Sequence, residues 1–411
     1  MARETPLGLP QTSHGAGFWV VAIAFLVVMA YATVPTPLYP LYQELDGFPV
    51  AVITLIFAAF AVGVVVSLFL LGHVSDWMGR RRMLTVAILV AALSAVLFLV
   101  WTSVPGLLVA RLVNGASVGI LTATATAHLG ELRAHARPTE STIVAASVAG
   151  AANLGGLALG PLIGGLFAEF LPDPLVLPHA VFLVVLLAAA IAVTRVPETV
   201  ASPDEPRAYR PQRIATPPRS KTAFVAAGFG AFAGFALFGL FTSLAPTILI
   251  GTFGEHDHLL AGATAFSVFA AAAASQVALA RVPLRVRLTV AAACCGVGLA
   301  AVAVGASTPS LVVFLAGGVV SGAGVGVLFG AAVATASGLA EPGLRGETLA
   351  LIFLIAYCGL ALPVIAIGVV LTFASQTVVV LVFASLVLVV TVAAALVMRR
   401  AASVPSVDGR A

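Results

Sequence analysis

Apolar residues run along this chain in blocks of roughly 20, separated by short polar breaks. Blocks of that length cross the hydrocarbon core of a bilayer as helices. Twelve are expected, at about 17–41, 49–72, 83–102, 105–127, 141–169, 178–196, 222–250, 259–280, 287–306, 309–336, 347–372 and 376–398. The longest polar break, Pro197 to Lys221, is rich in proline, arginine and acidic residues and cannot build a packed core. The pattern therefore divides into a six-helix bundle over 1–196, a linker over 197–221 and a second six-helix bundle over 222–411.

The two halves echo each other. NGASVG (Asn114–Gly119) in the fourth block answers SGAGVG (Ser321–Gly326) in the tenth. Glu140 and Glu347 open the fifth and eleventh blocks, and GLAL followed by a proline recurs at Gly156–Leu159 with Pro161 and at Gly359–Leu362 with Pro363. Their shared order points to an internal duplication.

Composition agrees with a membrane chain. Of 411 residues 61% are hydrophobic and 9% charged, with a mean hydropathy of +1.14, too little charge for a soluble surface. The net charge of +4 reports orientation rather than an anionic partner. At or beyond the block ends, and all on the side of the N-terminus, the linker and the C-terminus, lie 19 of the 20 Lys and Arg residues. Excess basic charge marks the cytoplasmic side, so both termini are expected there, in a bacterial-type cytoplasmic (inner) membrane. Cys294, Cys295 and Cys358 lie inside apolar runs at spacings that suit no metal, and read as small core residues. The first block lacks a signal-peptide cleavage site and is long enough to span.

Between the second and third blocks stands GHVSDWMGRRRML, Gly72 to Leu84. Gly72, Asp76, Gly79, Arg80 and Arg81 match G-x-x-x-D-x-x-G-R-[RK], and the stretch resembles the loop between helices 2 and 3 of the major facilitator superfamily. In the fourth block Arg111, Gly115 and Gly119 resemble that superfamily's R-x-x-x-G-x-x-x-G motif. In the fifth, Gly156, Gly160, Pro161, Gly164 and Gly165 resemble the signature of its drug/proton antiporters, although Ser147 replaces the upstream glycine. The resemblance implies an all-α membrane protein of twelve helices, two pseudo-symmetric six-helix bundles around a central cavity, with Asp76 in a gate and Arg111 in proton or substrate coupling. It also implies efflux.

Read as residues alone, the same positions have plainer explanations. A cation inside a span costs a few kcal/mol unless paired or watered, and Arg111 could snorkel to the outer interface. Its neighbours Asn114, Ser117, Thr124 and His128 share an arc of about 80°, a polar face suited to protein or water. The fifth-block glycines could simply let helices approach closely, with Pro161 kinking the helix. Pro35, Pro37 and Pro40 should break the outer end of the first helix; Tyr42 reads as interfacial and Tyr31 as facing the cavity. Phe229, Phe232, Phe235, Phe238 and Phe241 recur every third residue, mostly toward lipid, with one or two free to meet substrate. Cavity candidates are thus Tyr31, Asn114, Thr122, Asn153, Phe235, Phe238, Ser321 and Tyr357.

Absences narrow the function. Asp46, Asp76, Glu131, Glu140, Glu169 and Glu347 all fall at or near block ends, which disfavours multiply charged cations as cargo. There is no G-x-x-x-x-G-K-[ST] loop, so energy must come from a gradient. No nucleophile, metal site, cofactor site or nucleic-acid surface is evident, and the chain reads as a monomeric carrier rather than an enzyme. The expectation is proton-coupled efflux of a small apolar or weakly polar compound. Uptake or facilitated diffusion of a neutral metabolite, and a non-transporting sensor on the same fold, are the alternatives. For the proton, Asp46 paired with Arg111 is the first candidate and His128 the second.

Overall fold

A computed structural model of the chain describes residues 11–200, 209, 215–216, 220–341 and 344–402. Arg3, Arg410 and most of the linker, with Arg207, Arg210, Arg213 and Arg219, lie outside the described residues, as does the side chain of Arg345.

Eleven described helices are long and apolar enough to span a membrane. They are α1 (His14–Asp46), α2 (Val50–Leu71), α3 (Arg80–Val100), α4 (Val104–Ala136), α5 (Thr142–Phe170), α7 (Lys221–Phe253), α8 (His258–Ala278), α9 (Leu284–Ser307), α10 (Leu311–Leu339), α11 (Gly346–Val370) and α12 (Gln376–Ala401). The twelfth, α6 (Leu177–Val193), is also apolar but only 17 residues long, at the short end of what crosses a bilayer. Ile23, Val100, Val312, Leu386 and Val389 are exposed on the outer surface, an apolar girdle that only lipid would cover. This is a multi-pass, all-helical membrane protein.

Proline and glycine punctuate the helices as their chemistry requires. The first segment of α1 ends at Thr33, because Pro35 and Pro37 lack the N–H groups that would continue its ladder. A 3₁₀ turn, Thr36–Leu38, and a second segment, Tyr39–Asp46, follow. That segment stops at Gly47, whose φ of +69° is the left-handed cap glycine tolerates best. In α7, Pro246 cannot donate to the Thr242 carbonyl, and wider i→i+5 turns flank it at Leu240–Leu244 and Leu249–Phe253.

The duplication is visible in the packing. A Cβ on Gly115 or Gly119 of α4 would collide with backbone oxygens of α2, at Phe60 and Val64. The corresponding glycines of α10, Gly322 and Gly326, meet the carbonyls of Val268 and Ala272 on α8 in the same way. The NGASVG and SGAGVG stretches therefore mark the same close helix pairing in each half.

Between the halves the packing is uneven. Away from the Gly72–Leu84 loop, α5 meets α8 so closely that Gly262 lies against the Pro161 carbonyl and Gly165 against that of His258. There too α2 meets α11, with Gly368 against Thr54. On the loop side a chamber of about 430 Å³ separates α2 and α4 from α11. The protein is closed on one face and parted on the other.

Candidate functional site

The central cavity, about 130 Å³, lies between the halves. Aromatic rings wall it: Phe57 and Phe60 from one half, Phe235, Phe238, Phe269, Phe329, Phe353 and Tyr357 from the other. Polar atoms enter at Thr33, Arg111, Asn153, Thr242 and Gln276. Phe353 and Tyr357 also line the loop-side chamber, so the two spaces adjoin at these rings. Of the expected cavity residues, Asn153, Phe235, Phe238 and Tyr357 line the centre, and Thr122 lines the chamber.

Three expected cavity residues are placed elsewhere. Ser321 bonds the Gly318 carbonyl at 3.1 Å and is wedged against Gly298 of α9. Asn114 is buried behind Arg111. Tyr31 points into the first half, where its hydroxyl lies 3.1 Å from His179 Nδ1. Tyr42 is no interfacial residue either: it is buried, its hydroxyl 3.3 Å from His179 Nε2. The imidazole thus sits between two tyrosine hydroxyls, stacked on Phe98 at 4.5 Å. Of the phenylalanine stripe only Phe229 is exposed to lipid, since the every-third-residue pattern drifts around the helix and carries the others inward.

Arg111 does not snorkel. It is fully buried, with Nη1 donating to the Ala32 carbonyl at 2.7 Å and to Asn114 Oδ1 at 3.4 Å. Ala32 is in the last turn before the proline break, where carbonyls lack helical partners. A cation there also meets the negative end of the helix dipole. The guanidinium lies over Phe60 at 4.5 Å and near Phe57 at 5.8 Å. Asp46 is not its partner: it is exposed at the end of α1, and none of the three ion pairs among the described residues involves Arg111. Shared depth in the membrane does not bring the two together, because Arg111 turns inward. His128 is likewise buried rather than solvated, its Nε2 3.1 Å from the Pro197 carbonyl.

The loop motif forms a compact lock within the first half. Arg80 reaches Ser75 at 2.7 Å, Asp76 at 2.5 Å and Glu131 at 3.0 Å. Gly79 adopts φ +102°, and a Cβ there would stand 2.6 Å from Glu198 Oε2. Glycine at this site satisfies both demands. Gly72 needs no such freedom, since its φ is −57°. Glu198 accepts from the backbone N–H groups of Arg80 and Arg81 at 2.8 and 3.1 Å, capping α3, and Arg81 also reaches the Val196 carbonyl at 3.4 Å. The start of the linker is therefore docked under the motif, which its composition did not reveal. Gly156, Gly160 and Gly164 face the backbone of α1, while Gly165 faces α8. The antiporter-like stretch thus joins helices both within and between halves.

The sequence profile of the Major Facilitator Superfamily matches residues 20–313, and the chain belongs to that superfamily. Solved structures that share its fold include two transporters. The human organic anion transporter MFSD10 (TETRAN) is 19% identical with a TM-score of 0.69, over 94% of this chain and 100% of that one. A mutant of nucleoside transporter NupG is 12% identical with a TM-score of 0.70, over 93% and 99%. No curated protein matches the sequence.

Proposed function

We propose that the protein is a secondary transporter that exports a small, largely apolar organic molecule in exchange for protons, by alternating access across a cytoplasmic membrane. One observation carries this reading: an aromatic-walled cavity lies between two halves that are sealed on one face and parted on the other. The excess of basic residues supports a cytoplasmic side for the parted face. The chain acts as a carrier, not a catalyst, and as a monomer.

For the proton, the described spans offer His179 between Tyr31 and Tyr42. A hydroxyl can donate or accept, so the array can hold a neutral or a protonated ring without losing either hydrogen bond. The charged group that acts on it from a neighbouring element is Arg111 of α4. Uptake or facilitated diffusion is the second reading, favoured by a cavity lining without a single Asp or Glu. Everted vesicles given a compound panel, with and without a pH gradient, test both. Gradient-driven accumulation supports export; equilibration insensitive to the gradient supports facilitated diffusion.

A further inference from the structure

Arg111 lines the central cavity, yet two of its three guanidinium nitrogens, Nε and Nη2, have no partner. Those two are the nitrogens whose N–H bonds run parallel along one edge of the guanidinium, the edge that takes a carboxylate bidentately. The remaining nitrogen, Nη1, is committed to the end of α1, and the guanidinium carbon lies over the rings of Phe60 and Phe57. The fork is therefore held in place, buried, with no partner on its pairing edge. A buried, unpaired cation is expensive, and no lining residue of this cavity is acidic.

We propose that the missing partner is the substrate's own anionic group: the cavity takes an organic monoanion, a carboxylate on an aromatic or aliphatic body. The carboxylate would pair with Arg111 Nε and Nη2, and the body would lie among Phe235, Phe238 and Tyr357. This rests on reading the cavity as the substrate site of a carrier, and holds for either direction of transport.

The test is binding to purified protein in lipid nanodiscs, using benzoate, 2-naphthoate and octanoate against their uncharged amides. At least one acid should bind saturably and tenfold or more tighter than its amide. Arg111→Gln should remove that preference, and Arg111→Lys, which keeps the charge but not the fork, should restore it only in part. Amides binding as well as their acids in the wild-type protein would overturn the proposal without recourse to any variant. So would no saturable binding of any acid, or an acid preference surviving in a monodisperse Arg111→Gln protein. In the vesicle assay, transport of neutral compounds without preference for acids overturns this proposal and leaves the carrier intact. Transport of nothing defeats the carrier reading instead.

Discussion

Arg111 Nη1 donates to the Ala32 carbonyl across 2.7 Å, so a cation from α4 closes the broken end of α1. The prolines that end that helix and the arginine that covers its last turn are thus two parts of one device. Arg111→Ala should leave an orphaned carbonyl beside the cavity and abolish transport. Arg111→Lys should retain more thermal stability than Ala yet transport almost as poorly, because one ammonium cannot cap α1 and present a fork at once. Transport rates normalised to membrane protein level, with melting curves in detergent, check this. A fully active Lys variant would argue against it.

Tyr31→Phe removes one of the two hydroxyls at His179 and leaves a buried ring nitrogen unsatisfied. A loss of about 1–3 kcal/mol of stability is expected. The pH profile of transport should shift in Tyr31→Phe and more strongly in His179→Gln. Unchanged profiles in both would remove His179 from proton transfer.

Asp76 is over half exposed and its pair with Arg80 adds little stability by itself. Across the chamber it shares a lining with Gly346, in the first turn of α11. When that face closes, the carboxylate meets the positive end of a helix. Asp76→Asn should therefore reduce transport severalfold while expression and melting temperature stay near wild type. Wild-type transport by the variant would exclude a gating role.

Between α4 and α5, Glu140 accepts from Arg133, with Nη2 to Oε1 at 2.8 Å. The guanidinium's hydrogen bond holds the Glu140 carboxyl below its ordinary value. A depressed carboxyl contributes stability above its unfolded value, lost as pH falls through the folded one. Any contribution of this pair should be full at neutral pH and fade as pH falls below ~4, toward the depressed folded value. Comparing Glu140→Gln with wild type in acid melting curves should show the two converging there.

The helices were legible because lipid demands long apolar blocks, and the duplication because glycine is needed where two backbones touch. Where membrane and helix part company, the reading falls short. The fourth block was expected to end near 127, but α4 continues to Ala136 through a polar stretch containing Glu131 and Arg133. Hydropathy locates the bilayer, not the end of a helix that leaves it. Depth along the chain likewise misassigned Asp46 to Arg111, since which way each side chain turns depends on partners distant in sequence. His179 drew no notice within an apolar run. Its tyrosines lie 148 and 137 residues away, and no local pattern encodes that meeting. Phe57, Phe60 and Phe353 were missed in the cavity for the same reason: phenylalanine in a span looks alike whether it faces lipid, core or substrate.

Alternating access is tested most directly at the sealed face. Thr54 Cβ lies 3.0 Å from the position a Cβ on Gly368 would take, so a shift of about half an ångström suits a disulfide between Thr54→Cys and Gly368→Cys. Oxidation of the double variant should lock that face, abolish transport and leave a cysteine placed at Thr122 open to labelling from the parted side. Reduction should restore transport, and neither single variant should respond to oxidant. Undiminished transport by fully cross-linked protein would mean that the two halves need not separate there, and alternating access by this movement would be refuted.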